Sequence, residues 1–441
     1  MNSRIFDIYP RIPLFTTLLL FTITFFVYDD FGIRMILGYA VLMYVTLIYL
    51  IFRNNNIRFT RMKLLYLILS MNLTVLILAG KMDASSITFV MSIVLSAVVA
   101  LIGDIRRREI STAVKILILF SILIAVYVIA VRFRRSVYTV YVMPHISAQS
   151  RQANEWLLKD GYGITLGGNV VFIDYILMIC GMICFNLIMS YRGKLRFVWL
   201  YPGCMAVCVA GMLFVNRKSE LLSYLIGLFF CFIMHMGIST WKEKRKTLRI
   251  AVILLVLIAA GLVYLAQTGF FVRYLYRYVS FFKKLTYNIG STEKQLDLTS
   301  ERSVLWSLAF RLFLEHPILG IGWGHFHDHL PEELNHLDNV HNNYLQLLCE
   351  TGIVGFLLVM VPLILVFIET VSLIRINKRK TNREPMVMAL NIASFGMQVF
   401  FLVLGFLDPC IYKMLFWAIF AMAVMMADSS EGALNETLQV S

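Results

Sequence analysis

His341 stands in the run VHNNYLQLLCETGIVG, at the mouth of an apolar stretch long enough to cross a bilayer. A neutral imidazole there can accept a proton near pH 7, which few other unperturbed side chains do. Arg302 opens the run RSVLWSLAFRLFLEHP, for which Thr299 or Ser300 supplies a helix N-cap and Pro317 a stop. At helical spacing Arg302, Trp306, Phe310 and Phe313 share one face, a cation followed by aromatics. Arg217 and Lys218 lie in VNRKSELLSYLIG, at the junction of two apolar runs with almost no loop between them. Charge at a membrane boundary is costly and tends to be functional where it faces a cavity; snorkelling to lipid headgroups is the plain alternative. Guanidinium groups match phosphate oxygens with a bidentate fork. Such cations beside one titratable base fit a lipid-linked phosphate or diphosphate as leaving group, with His341 deprotonating an attacking hydroxyl.

Other candidates carry weaker signals. Arg273 and Arg277, in FFVRYLYRYVSFFKKL, alternate with aromatics. They suit either a substrate phosphate or anchoring at headgroup depth. Arg311 and Lys218 complete the weaker set of substrate-binding cations. His325, His327 and His329 have a metal-like spacing, but they sit in a solvent-exposed loop, and no metal or other cofactor is expected. Gly320, Gly322 and Gly324 permit close backbone approach or positive φ, and a phosphate cradle lacks its strand–helix context. The seven cysteines fall in or beside apolar runs without acids or histidines, which reads as helix packing.

These residues need a scaffold, and composition says which. The chain of 441 residues is 59% hydrophobic and only 15% charged, too apolar for a set of soluble domains. Apolar runs near 12–28, 33–52, 64–80, 86–103, 113–131, 170–191, 197–216, 219–237, 250–268, 342–371, 386–406 and 409–427 predict about twelve transmembrane helices. No small-residue cleavage site follows the first run, so it reads as a span and not a signal peptide. Basic residues crowd alternate short loops, such as Arg106, Arg107 and Arg108 or Lys242, Lys244, Arg245 and Lys246. That places both termini in the cytoplasm. Segments 132–169 and 269–341 are then external, and 269–341, with its short helices, carries the candidate chemistry. Residues 428–441 form a short polar cytoplasmic tail.

The stretch ERSVLWSLAFRLFLEHPILGIGWGHF, with VHNNYLQLLCETGIVG after it, resembles the signature region of the O-antigen ligase and Wzy-type O-antigen polymerase superfamily. NRKSELLSYLIG looks like the family's shorter Arg-containing motif, and GGNVVFIDYILM is similar to its opening of the span after the first external loop. The direct match covers about residues 160–370. Asn216 departs from the pattern, which more often has a small hydroxyl residue before the arginine.

The resemblance implies an all-α integral membrane protein of the C-type glycosyltransferase class, working without metal at the outer face of the bacterial inner membrane. It implies that Arg217 and Arg302 grip the donor diphosphate and that His341 activates the acceptor hydroxyl. The implied partners are undecaprenyl-diphosphate-linked glycan as donor and acceptor, membrane lipids and a chain-length regulator, with no nucleic acid. The family includes polymerases, ligases that load lipid A core, and enzymes that glycosylate pilin-like proteins. The modest external loops favour the polymerase. A lipid-linked oligosaccharide flippase is the alternative from another class, but it would keep its arginines within the spans.

Overall fold

The structure is a computed structural model. It describes residues 60–81, 84–102, 107–146, 148–159, 161–164, 170–191, 200–240, 302–334, 339–379, 385–413 and 416–428 apart from 418, with scattered positions between 241 and 283. The expected spans 12–28 and 33–52, most of 250–268, and Arg273 and Arg277 lie outside the described residues, as do Asp297, His336 and Asp338.

Every regular element among the described residues is helical. The protein is an all-α integral membrane protein. Six of these helices are long and apolar enough to cross a membrane. The chain divides into two compact units.

The first unit contains α1 (Arg61–Leu78), α2 (Ala84–Ile102), α9 (Arg302–Glu315), α10 (Asn343–Arg379), α11 (Pro385–Leu404) and α12 (Ile419–Asp428). Thr60 caps α1 by accepting from the Lys63 N–H at 3.2 Å. α11 is buried on nearly all faces, and its polar side chains hydrogen-bond to neighbouring helices. Asn377 donates to Asn391 at 2.7 Å, Gln398 to Thr370 at 2.8 Å, and Ser394 to the Ala423 carbonyl at 2.7 Å. In an apolar solvent such bonds hold helices together where the hydrophobic effect gives no preference.

α10, with 37 residues, would be about 55 Å long if straight, more than a bilayer needs. It is broken at Gly352, whose φ of 61° and ψ of −169° are non-helical. The segment 317–322 fills the break. Ile321 and Gly322 donate to the carbonyls of Cys349 and Glu350 at 2.9 and 2.8 Å. Ile353 and Val354 donate to Pro317 and Ile318 at 2.9 and 3.2 Å. Irregular backbone within a membrane protein requires such internal partners. A Cβ on Gly352 would lie 2.2 Å from the Ile318 carbonyl oxygen, and one on Gly320 would lie 2.4 Å from the Glu350 carbonyl carbon. Gly320 and Gly352 therefore serve backbone-to-backbone packing.

The second unit contains most of α3 (Arg107–Phe133), then α4 (Ser136–Tyr141), α5 (Ala148–Lys159), α6 (Val170–Tyr191), α7 (Leu200–Val215) and α8 (Lys218–Ile238). α6 is the buried helix, packed against α7 and α8. Cys180, Cys184 and Cys208 are buried free thiols, with Cys180 and Cys184 sulfurs 4.0 Å apart on consecutive turns. Segment 132–169 contributes α4 and α5, and Tyr138 packs with Val131 and Ile164 in a small core.

Two boundaries differ from expectation. Residues 410–412 of the expected last span form a 3-10 turn after Pro409, which Lys413 and Asp408 close with contacts of 2.6 Å. Asp428, the first residue of the expected tail, ends α12 with its carboxylate 3.8 Å from the buried Lys63.

Candidate active site

In the first unit the site is built where α10 begins. Asn342 caps the helix, its side-chain oxygen accepting from the N–H groups of Tyr344 and Leu345 at 3.0 and 3.1 Å. The Asn343 N–H donates to the Gly405 carbonyl at 2.7 Å, and Asn343 Oδ1 accepts from the Ile411 N–H at 3.1 Å. Tyr344 donates its hydroxyl to the Leu402 carbonyl at 2.6 Å and lies against Phe406, ring centroids 4.4 Å apart. The HNNY run is thereby fastened to segment 402–411.

His341 precedes this cap with φ of 55°, in the left-handed region. Holding a non-glycine residue there costs of order 1 kcal/mol, so the neighbours must over-determine it. They do. Its N–H donates to Asn339 Oδ1 at 3.3 Å. Val340, fully buried, donates its N–H to Gln346 Oε1 at 3.3 Å and accepts from the Trp306 indole at 3.2 Å.

Arg302 begins α9 and donates from Nη1 to the Leu407 carbonyl at 2.9 Å. α9 is held by Leu305, Leu308, Ala309 and Leu312, which bury against Phe326, Val340 and Cys349. The buried stripe is thus aliphatic. Arg302 and Trp306 flank it, whereas Phe310 is 51% exposed and does not continue their face inward. Arg302 and the two residues after His341, Asn342 and Asn343, are anchored on segment 405–407, and α9 is joined to the residue before His341 through Trp306 and Val340. Arg311 is not part of this anchorage. Nine residues on, half a turn round the helix, it is 69% exposed with Glu315 4.0 Å away.

A buried polar chain runs behind His341. Gln346 donates to Glu350 Oε1 at 3.4 Å, and the Tyr412 hydroxyl to Oε2 at 2.9 Å. Trp323 stacks on Tyr412 with centroids 4.3 Å apart. None of Gln346, Glu350, Tyr412 or the Asp408–Lys413 pair is marked by sequence spacing alone. Glu350 carried the one readable signal, a lone acid inside an apolar run.

The histidine-rich loop is tied up locally. His325 Nδ1 lies 3.0 Å from Asp328 Oδ2, and Lys81 Nζ lies 2.7 Å from Oδ1. These two contacts hold the Asp328 carboxyl below its ordinary pKa, Lys81 contributing most. His329 Nδ1 meets the His325 carbonyl at 2.9 Å. His327 is exposed.

In the second unit Arg217 is the N-cap residue of α8, with extended backbone, and Lys218 is the first helical residue. Asn216 links α7 to α8 with φ of 70°. Asparagine tolerates that conformation far better than serine or threonine, which explains the departure from the usual small hydroxyl residue. Its side chain donates to the Gly161 carbonyl at 2.9 Å, and the Gly163 N–H to Val215 at 3.0 Å. The Arg217 guanidinium lies 2.5 Å from Glu220 Oε1. Glu220 and Asp174, both buried, are the acids that sequence reasoning passed over in this unit.

Residues 203–360 match the family model described as O-antigen ligase. Over these residues the chain is similar to that family. Within the matched stretch lie Arg217, Lys218, Arg302, Arg311 and His341, whereas Asp174, Asp408 and Tyr412 lie outside it. A search of curated proteins found no match.

Proposed function

We propose that the protein is a polysaccharide polymerase of the bacterial inner membrane. It joins undecaprenyl-diphosphate-linked oligosaccharide repeat units at the external face, with both termini in the cytoplasm. His341 takes the proton of an acceptor sugar hydroxyl as its oxygen attacks the anomeric carbon of the donor. The bond from that carbon to the diphosphate breaks, and its electron pair leaves with the diphosphate. Arg302 and Arg217 offset the charge that develops there. Lys218, Arg311, Arg273 and Arg277 are secondary contacts for the diphosphate or the surrounding lipid.

The observation that supports this reading is that Arg302 and the two residues after His341, Asn342 and Asn343, bond to residues 405–407, so that one segment holds a permanent cation and the backbone next to a titratable base. The similarity of residues 203–360 to that family supports the lipid-linked donor. The family description favours a second reading, transfer of finished glycan to lipid A core, and transfer to a protein would use the same donor chemistry.

Purified protein incubated with an undecaprenyl-diphosphate-linked repeat unit as sole substrate tests the choice. A ladder of longer lipid-linked glycans supports the polymerase. Product only after addition of lipid A core or a pilin-like protein identifies the ligase or the protein-glycosylating enzyme. Translocation of the lipid without any transfer would make the protein a flippase.

A further inference from the structure

Glu220 and Asp174 have no part in the transfer chemistry, yet they surround its second arginine. Glu220 is fully buried, and its Oε1 lies 2.5 Å from Arg217 Nη2. The Ser219 hydroxyl donates to Oε2 at 2.8 Å. Asp174, on α6, is 1% exposed, and neither carboxylate oxygen has a hydrogen-bond partner among the described residues. It interacts electrostatically with both Glu220 and Arg217. All three residues belong to the second unit.

A fully buried glutamate is costly even when it is paired. Glu220 is also the third residue of α8, where a glutamate can cap the helix. That structural role is served as well by glutamine, so the charge calls for another account. An anion approaching Arg217 meets a guanidinium that already carries the Glu220 carboxylate on one edge. It must share the fork or displace Glu220.

We propose that Glu220 is an internal competitor for Arg217 that weakens its hold on diphosphate and so lets the spent lipid diphosphate leave after transfer. The inference rests on Arg217 being a diphosphate ligand. Glu220 acts through Arg217 and is a positioning residue.

The test is inhibition of glycan transfer by inorganic pyrophosphate, competing with the lipid-linked donor, in the full-length protein. Glu220→Gln keeps the helix cap and removes the charge. It should lower the inhibitory concentration roughly tenfold, the scale of one like charge removed at close range. It should also lower KM for the donor together with kcat, with thermal unfolding unchanged. Glu220→Asp should behave as wild type. Inhibition of Glu220→Gln equal to or weaker than wild type, with Arg217→Ala markedly less sensitive, would overturn the competitor role alone. Pyrophosphate inhibition unaltered in Arg217→Ala would remove the diphosphate role of Arg217, and the inference with it.

Discussion

Trp306, one helical turn after Arg302, donates its indole N–H to the carbonyl of Val340, the residue before His341, at 3.2 Å. Through this contact the helix that starts with the candidate phosphate ligand also fixes the backbone of the candidate base. The left-handed φ of His341 makes that support consequential, because a relaxed backbone would turn the imidazole elsewhere.

Trp306→Phe keeps the ring and removes the donor. The Val340 carbonyl loses its bond, at about 1 kcal/mol. Turnover should fall roughly fivefold to tenfold through kcat, with KM for the donor nearly unchanged. Steady-state kinetics on the purified variant check this; wild-type kcat would detach α9 from the placement of His341.

Arg302→Lys retains the charge and loses the planar fork. A lysine cannot both hold the Leu407 carbonyl, as Nη1 does at 2.9 Å, and present a second edge to phosphate. Activity should drop at least about tenfold while the protein remains folded. Activity equal to wild type, measured by glycan transfer at saturating donor, would remove Arg302 from the diphosphate clamp.

How much of this was legible beforehand depended on the kind of signal. Hydropathy located α1, α2, α3, α6, α7, α8, α10 and α11 to within a few residues, except that α3 begins about six residues before its apolar run and α10 continues about eight residues past its run, to Arg379. Burial in lipid leaves long apolar runs that no other structure explains. Arg302 and His341 were readable as types at membrane boundaries. The convergence of Arg302, Asn342 and Asn343 on Gly405–Leu407 was not, since that segment is about 65 residues away from His341 and carries no motif of its own. The break in α10 was hidden for a related reason. Glycine in an apolar run looks like any small residue, and only the partner segment 317–322 reveals why position 352 needs one. Asp174 and Glu220 could have been flagged as acids within apolar runs, but their shared target, Arg217, is visible only once α6 and α8 pack together.

Gly352→Ala should be severely destabilising. The residue has φ of 61°, and its new Cβ would lie 2.2 Å from a backbone oxygen that cannot give way. A cost of about 3 kcal/mol or more is expected. Thermal unfolding in detergent would report it as a large fall in Tm; an unchanged Tm would contradict the backbone clamp between 317–322 and 349–354.

The Lys81–Asp328–His325 contacts give a small pH dependence. The folded pKa of Asp328 is lowered, so its stabilisation is fully present above the unfolded carboxylate value of about 3.9 and disappears as pH falls through the folded value. Both Lys81 and Asp328 are substantially exposed, at 44% and 39%, so screening by solvent keeps the effect small. Lys81→Ala should therefore lower Tm slightly at pH 7 and by less near pH 3. An equal decrease at both values would assign the loss to packing of the lysine stem instead.

The central claim is that His341 removes the acceptor proton, and a single-turnover assay tests it most directly. Purified wild type and His341→Ala, matched for Tm, are given undecaprenyl-diphosphate-linked repeat unit, and formation of the new glycosidic bond is followed. The account predicts bond formation in wild type and none in His341→Ala, although the variant still binds the donor. Bond formation by His341→Ala at the wild-type rate would contradict it.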